Sequence, residues 1–142
     1  MSKPAQDAEK RTVLIVEDSD DFSNLMKYVI EDMGFVGVQF PVDEEDIIGW
    51  AKEHNPAVIL MDLALRRKGG MEFIEELKAE SSTRNIPIVI ISGRDLSSKE
   101  ILELQVRDVQ YLRKGRMDMH EIRQAISDAA SAGKPAPTPK SK

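Results

Sequence analysis

The chain has 142 residues, which predicts a single folded domain, since domains commonly span about 100–200 residues. It contains no cysteine, so disulfides, cysteine-ligated zinc and thiol catalysis are excluded. The net charge of −5 disfavours a nucleic-acid-binding surface, and no apolar run reaches the roughly 18–20 residues of a membrane span. We therefore expect a soluble, cytoplasmic domain without direct nucleic-acid or membrane partners, whose chemistry uses carboxylates, hydroxyls and amines.

Short apolar runs alternate with helical patterns along the chain. Three runs are almost continuously apolar, which is typical of strands buried on both faces of a parallel sheet, whereas the second and fifth are weaker and are expected nearer an edge. Strict alternation of strand and helix predicts an α/β fold with helices on both faces of a doubly wound parallel sheet. In chain order the predicted elements are strand Thr12–Val16, a helix from Phe22 to Met33, strand Val36–Phe40, helix Glu44–His54, strand Ala57–Met61, helix Met71–Glu80, strand Ile86–Ile91, helix Ile101–Val106, strand Val109–Leu112 and a helix opening at Asp118.

The two ends of the chain are predicted to lie outside the domain. Residues 1–10 are polar, and residues 132–142 read AGKPAPTPKSK, a composition that favours a disordered Pro/Ala/Lys tail or linker. The folded domain is accordingly predicted to span residues 11–131.

Polar side chains follow four of the five predicted strands. Glu17 and Asp18 come after the first, Asp62 after the third, Ser92 after the fourth and Lys114 after the fifth. Ligands of open parallel sheets bind beyond the carboxyl ends of the strands, so these groups are expected to converge on one rim. Clustered carboxylates with oxygen ligands suit magnesium, and a nearby ammonium and hydroxyl suit a phosphoryl group. The predicted chemistry is phosphoryl transfer to a carboxylate.

With these residues in place, the chain resembles the receiver domain of two-component response regulators, of the single-domain chemotaxis-regulator type. The resemblance covers about residues 11–130 and is carried by VLIVEDSDDF, NPAVILMDLALRRKGGMEF, IPIVIISG and YLRKG. The spacings from Asp18 through Asp62 and Ser92 to Lys114 are 44, 30 and 22 residues. The resemblance implies a flavodoxin-like (βα)5 sheet with strand order 2-1-3-4-5.

The resemblance also implies roles for the acidic residues. Asp62 would be the phosphoacceptor. Glu17 and Asp18 would hold Mg²⁺ together with Asp62, and the backbone carbonyl of Ala64 would complete the protein ligands.

The remaining implied roles concern the switch and its partners. Ser92 would be the switch hydroxyl, Lys114 would pair with the phosphoryl group, and Tyr111 would be the aromatic whose rotamer follows the switch. A sensor histidine kinase or phosphotransfer protein would supply the phosphoryl group, and the face formed by the fourth helix, fifth strand and fifth helix would bind a downstream protein. The domain would not be an enzyme beyond catalysing its own phosphorylation and dephosphorylation. The sequence leaves open whether phosphorylation also drives homodimerisation.

Several positions depart from the family pattern. Arg66 stands where a proline is usual, Gly69 where an acidic or polar residue is usual, and Glu44 where a glycine usually opens the second helix. Gly115 replaces the proline that usually follows the lysine in a cis peptide. Because a cis bond before a non-proline residue costs about 3–4 kcal/mol, we expect either a trans bond with a reshaped loop or a strained bond after Lys114.

Two other interpretations are open at this point. A small haloacid-dehalogenase-like phosphatase could use Asp18 and Asp20 after the first strand, although Asp62 would then have no role. A degenerate receiver, with the prolines lost, could act only as a protein-binding module. A finer hypothesis concerns the phosphoprotein lifetime: Ala64 cannot position an attacking water and Arg94 could cover the phosphoryl group, so the phosphoaspartate is predicted to be long-lived.

Overall fold

A computed structural model describes residues 11–41, 43–65 and 69–132. Within these residues five β-strands alternate with five α-helices, as the sequence predicts. In chain order the elements are β1 (Thr12–Val16), α1 (Asp20–Asp32), β2 (Val36–Gln39), α2 (Ile47–His54), β3 (Val58–Met61), α3 (Gly70–Ala79), β4 (Ile88–Ser92), α4 (Ser98–Val106), β5 (Gln110–Arg113) and α5 (Met119–Ala132).

The strands form one parallel sheet in the order β2-β1-β3-β4-β5, which confirms the predicted topology. Its register aligns the strand ends: Val16 pairs with Met61, and Met61 with Ile90. At the other edge Ser92 pairs with Arg113. The residues that follow β1, β3 and β5 therefore emerge side by side on one rim.

Two apolar layers hold the sheet, one on each face. Successive side chains of a strand point to opposite faces, so Leu14 and Val16 join one layer while Val13 and Ile15 join the other. Helices α2, α3 and α4 cover the first layer, and α1 and α5 cover the second. Each fully buried aliphatic side chain contributes about 1.5–3 kcal/mol, so these layers fix the strands that carry the rim.

The helix starts show which polar residues serve local structure. Ser19, and not Asp20 or Asp21, caps the first helix, because its Oγ accepts the N–H of Phe22 at 3.3 Å. The two aspartates instead lie in the first turn, where carboxylates favour the positive end of the helix dipole. The cap of α1 is thus a residue of the loop that carries the acidic pair.

Two later helices begin with reciprocal caps between a side chain and the backbone. The capping box of Ser97 and Glu100 opens α4. Asp118 and Glu121 exchange reciprocal hydrogen bonds of 2.9 and 2.8 Å at the start of α5. Both pairs satisfy backbone N–H groups that have no partner within the helix.

Several predicted boundaries are wrong by a few residues. The fourth strand begins at Ile88 rather than Ile86, because Pro87 has no N–H to donate to a ladder, and it includes Ser92. The second helix begins at Ile47 rather than Glu44, because the side chain of Asp46 caps it by accepting the N–H of Gly49.

The ends and loops of the chain are described in part. The predicted tail from residue 132 is wrong at its first residue, since Ala132 is the last residue of α5. Residues 1–10 and 133–142, and the basic loop with Arg66, lie outside the described residues. None of the helices in the described ranges is both long and apolar enough to cross a membrane.

The peptide bond after Lys114 resolves one alternative. No cis peptide bond occurs among the described residues, so the bond to Gly115 is trans. Gly115 has φ +81°, a left-handed conformation that suits glycine and excludes proline. The loop after β5 is therefore reshaped by glycine and not strained by a cis bond.

Candidate functional site

The strand ends bring two acidic side chains and one basic side chain into contact. Lys114 Nζ lies 3.0 Å from Glu17 Oε1 and 3.3 Å from Asp62 Oδ2. Glu17 is only 5% exposed and Asp62 only 7% exposed. The predicted convergence of these three residues is thus present, with the ammonium placed between two buried carboxylates.

Backbone hydrogen bonds fix the main chain of Asp62 and Lys114, from which these side chains extend. The N–H of Asp62 donates to the carbonyl of Val16 at 2.9 Å, and the N–H of Lys114 donates to the carbonyl of Ser92 at 2.8 Å. Both bonds continue the strand ladders by one residue. The N–H of Ala64 donates to Asp62 Oδ1 at 3.1 Å, so the two oxygens of Asp62 face different partners.

Glu17 is held by partners that the sequence did not reveal. Its Oε2 accepts the N–H of Ser19 at 2.9 Å. Its carbonyl accepts from Gln39 Nε2 at 3.2 Å, and the Oε1 of Gln39 accepts from the buried hydroxyl of Ser23 at 2.6 Å. These bonds link the end of β1 to β2 and α1, and they restrict the movement of the carboxylate.

The pocket carries more negative charge than its single ammonium neutralises. Burial raises the pKa of Glu17, and the charge of Asp62 raises it further, whereas the bonds from Ser19 and Lys114 lower it; the net direction is upward. Burial acts to lower the pKa of Lys114, but its hydrogen bond to Glu17 and the charges of both carboxylates reverse this, so that pKa is raised. The ammonium form is therefore favoured while the more deeply buried Glu17 carboxylate is disfavoured.

The predicted metal ligands are only partly assembled. Asp18 follows Glu17 on the rim and is half-buried. No group of three acidic or histidine side chains in the described ranges is arranged to hold a metal ion, and Lys114 contacts both Glu17 and Asp62. That Glu17, Asp18 and Asp62 hold Mg²⁺ together therefore stays a prediction. The donor chemistry nevertheless fits a divalent cation, because the ligands are oxygens in a pocket with excess negative charge.

Ser92 lies at the rim, but its hydroxyl contacts the backbone of Arg94 instead of the Asp62 carboxylate. Its side chain is fully buried, and its Oγ accepts the N–H of Arg94 at 3.4 Å. In this conformation the hydroxyl is therefore engaged with the loop between β4 and α4 rather than with Asp62.

The loop between β4 and α4 is tied down by polar contacts that the sequence did not predict. Tyr111 donates its hydroxyl to the carbonyl of Arg94 at 2.7 Å. The Arg94 guanidinium binds Glu100 through two hydrogen bonds of 3.2 and 3.1 Å, which lower the pKa of Glu100 to about 2. Arg113 binds Asp95 at 2.6 Å. The Arg94 side chain is thus engaged with α4 rather than free to extend over Asp62.

A close backbone approach explains the glycine that opens α3. A Cβ on Gly70 would lie 2.6 Å from the carbonyl oxygen of Asp62 and 2.7 Å from the Cα of Leu63. Real Cβ atoms do not approach backbone atoms this closely, so any side chain at position 70 would displace the backbone of Asp62 or Leu63. Gly69, by contrast, has nothing within 4 Å of its virtual Cβ.

We expect Gly70→Ala to lower the free energy of unfolding by about 1–3 kcal/mol, because overpacking forces backbone shifts. Gly69→Ala is the matched control and should stay within about 0.5 kcal/mol of the parent. Urea unfolding followed by the fluorescence of Trp50, the single tryptophan, measures both. Equal stability of the two variants would contradict the close approach.

We expect Glu17→Gln to lose stability relative to the parent as pH falls from 7, because folding raises the pKa of the Glu17 carboxyl, so the parent gains stability when that carboxyl is protonated, whereas the amide does not titrate. This change should be complete below the unfolded value near 4.5. The amide NH2 cannot accept the bond that one carboxylate oxygen receives from Ser19 or Lys114, so the quantity compared is the change with pH and not the difference at pH 7. Urea unfolding of both proteins across this range measures it, with exposed Glu53→Gln as the control; a difference in unfolding free energy that does not change with pH would contradict the raised pKa.

Comparison with known proteins identifies the family. A family model described as the response regulator receiver domain matches residues 13–127. The phosphate regulon transcriptional regulatory protein PhoB of Escherichia coli is 32% identical over 104 residues, 73% of this chain and 45% of PhoB. The polar-differentiation response regulator DivK of Brucella ovis is 30% identical over 90 residues, 63% of this chain and 72% of DivK.

Solved structures agree on the fold. The Mn²⁺-bound form of response regulator Rcp1 superposes with a TM-score of 0.63 at 22% identity, over 85% of this chain and 92% of that chain. This chain spans less than half the length of the curated PhoB relatives that it matches. The matched residues include β2 to β5, all of β1 except Thr12, and the buried pair that Lys114 binds. The chain therefore belongs to the response regulator receiver domain family of two-component signal transduction.

Proposed function

We propose that this receiver domain accepts a phosphoryl group on Asp62 from a sensor histidine kinase or a phosphotransfer protein. The observation that carries the proposal is the contact of Lys114 Nζ with Asp62 Oδ2 and Glu17 Oε1 in a buried pocket at the strand ends. The buried carboxylate of Asp62 is placed to react as a nucleophile, and the ammonium of Lys114 balances the negative charge that develops on the phosphoryl oxygens.

The proposed step is a displacement at phosphorus. A carboxylate oxygen of Asp62 forms the new bond to phosphorus, and the bond from phosphorus to the donor breaks. The electron pair of that bond leaves with the histidine nitrogen of a protein donor, or with acetate when the donor is acetyl phosphate. Lys114 stabilises the phosphoryl oxygens, because it already lies 3.3 Å from the attacking group.

We propose that Glu17, Asp18, Asp62 and the backbone carbonyl of Ala64 hold Mg²⁺. The cation would supply neutralising charge to the phosphoryl oxygens. The pKa of Glu17, raised by burial and by Asp62, supports this assignment, since it indicates a pocket that favours added positive charge. The Mn²⁺-bound Rcp1 structure adds support for a divalent ion in this fold.

The proposed output is a change in the surface formed by α4, β5 and α5. A phosphoryl group adds roughly one to two negative charges at Asp62, which would draw Lys114 and the Ser92 hydroxyl toward it. Ser92 Oγ would then release the Arg94 N–H, and the loop tied to Tyr111 would move with it. Exposed Leu102 and Val106 of α4 would supply the apolar contacts of a downstream protein or a second copy of the chain.

In this function the domain catalyses its own phosphorylation and dephosphorylation and no reaction on any other substrate. It acts in the cytoplasm, where kinases of two-component systems transfer their phosphoryl groups.

We expect incubation with acetyl phosphate and Mg²⁺ to add the mass of one phosphoryl group to the intact protein. Asp62→Asn, a nearly isosteric variant without the nucleophile, should add none. Chemical trapping of the acyl phosphate followed by peptide mapping identifies the residue. Modification at Asp18 would favour the phosphatase interpretation, and absence of modification in the parent protein would leave only a binding module.

We expect the phosphoprotein to decay several-fold more slowly than Ala64→Asn. The exposed methyl group of Ala64 has no polar atom to position an attacking water near Asp62, whereas an asparagine amide does. The measurement is loss of the added mass after the phosphodonor is removed. Equal or slower decay of the variant would show that the residue at this position does not limit hydrolysis.

A further inference from the structure

The Lys114 ammonium has a third partner that carries no charge. Its Nζ lies 4.4 Å from the centroid of the Phe22 ring. A cation over an aromatic face is attracted by the electron density of the ring, and the attraction is stronger where water is partly excluded. Phe22 is half-buried and packs against the apolar layer under α1 and α5, so its ring is fixed rather than free in solvent.

Short-range contacts place the Phe22 ring relative to the pocket. Its N–H donates to Ser19 Oγ, and the N–H of Ser19 donates to Glu17 Oε2. Glu17 in turn pairs with Lys114. These contacts form a closed chain of four residues, so the position of the ring is linked to that of the Glu17 carboxylate.

The backbone of Lys114 is fixed by its bond to the Ser92 carbonyl, but the loop that follows gives its side chain no support. The residue that follows is Gly115 with φ +81°, and glycine restricts the backbone less than any other residue. The side chain of Lys114 is 24% exposed and reaches the pocket on a flexible four-carbon stem. A lysine in this setting needs fixed side-chain partners to stay over the carboxylates.

The three partners differ in how they respond to the reaction. Glu17 is a proposed metal ligand, and Asp62 is consumed as a free carboxylate when it takes the phosphoryl group. The attraction of the Phe22 ring depends on neither change. The ring is therefore the partner that keeps the ammonium at the pocket while its ionic partners are exchanged.

We propose that Phe22 is a positioning residue for Lys114: its aromatic face holds the ammonium over the acidic pocket. The consequence for phosphorylation rests on the proposed function, whereas the position of the ammonium does not. The test therefore has one measurement on the unmodified protein and one on phosphorylation.

The first measurement is the NMR spectrum of the Lys114 side chain in the unphosphorylated protein. We expect its Cε protons to show an upfield ring-current shift that Phe22→Leu abolishes and Phe22→Tyr retains. Phe35→Leu is the matched control, because Phe35 is equally half-buried against the same apolar layer, and it should leave the shift unchanged. The same shift in the parent protein and in Phe22→Leu would overturn the proposal.

The second measurement is the rate of phosphorylation by acetyl phosphate with Mg²⁺. Fluorinated phenylalanines at position 22, with one to three fluorines, weaken the aromatic face stepwise while keeping the shape of the ring. We expect the maximal rate to fall with each fluorine, to about three- to tenfold below the parent for the trifluoro ring. The acetyl phosphate concentration at half-maximal rate should change little, since the ring does not touch the donor.

The outcomes separate the two proposals. A graded fall in rate with an unchanged unfolding midpoint supports positioning, because a merely structural ring would not respond to fluorine. A constant rate across the series would overturn the positioning role. If no variant, including the parent, is phosphorylated, the proposed function fails, and the NMR measurement alone decides whether Phe22 holds Lys114.

Discussion

The pairing of one ammonium with two buried carboxylates is the constraint on which the rest of the site depends. Glu17 and Asp62 are each more than nine-tenths buried, and burying a charged group without a partner costs several kcal/mol. Lys114 contacts both, yet the pKa of Glu17 remains raised, so the pairing only partly offsets their desolvation. This residual negative charge is what makes the pocket suited to bind a cation and to respond when its charge changes.

The fold supplies the stability that the pocket lacks. The apolar layers on the two faces of the sheet bury strand residues such as Leu14 and Ile59 completely, and neither layer uses the charged rim. The parallel register then places the ends of β1 and β3 at one level and lets β5 reach two residues beyond them. The unfavourable charge cluster can persist because the strands that carry it are held by contacts elsewhere.

The apolar layers and the charged rim differ in how far the sequence could predict them. The parallel α/β sheet and the convergence of Glu17, Asp62 and Lys114 follow from backbone periodicity and from the rule that parallel strands end together, so local patterns were sufficient. The strand order was predicted only from the family resemblance. The contact of Phe22 with Lys114 was not predictable, because Phe22 also fits the apolar stripe of α1 and nothing in its spacing distinguishes a core ring from one that faces a cation. Gln39 was missed for a similar reason, since its role depends on the neighbour that packing provides.

In the proposed function, the loop between β4 and α4 is the part that moves while the sheet stays folded. Its contacts are mostly exposed: Arg94 with Glu100, and Arg113 with Asp95. Exposed ion pairs typically contribute about 0–1 kcal/mol each, so the resting loop is held by several weak contacts rather than by one strong one. Moving an equilibrium from 1:99 to 99:1 requires about 5.5 kcal/mol of differential interaction. In the proposed function, the charge added at Asp62 acts on the half-buried ammonium of Lys114, whereas the ion pairs of the loop are more exposed and are screened by solvent.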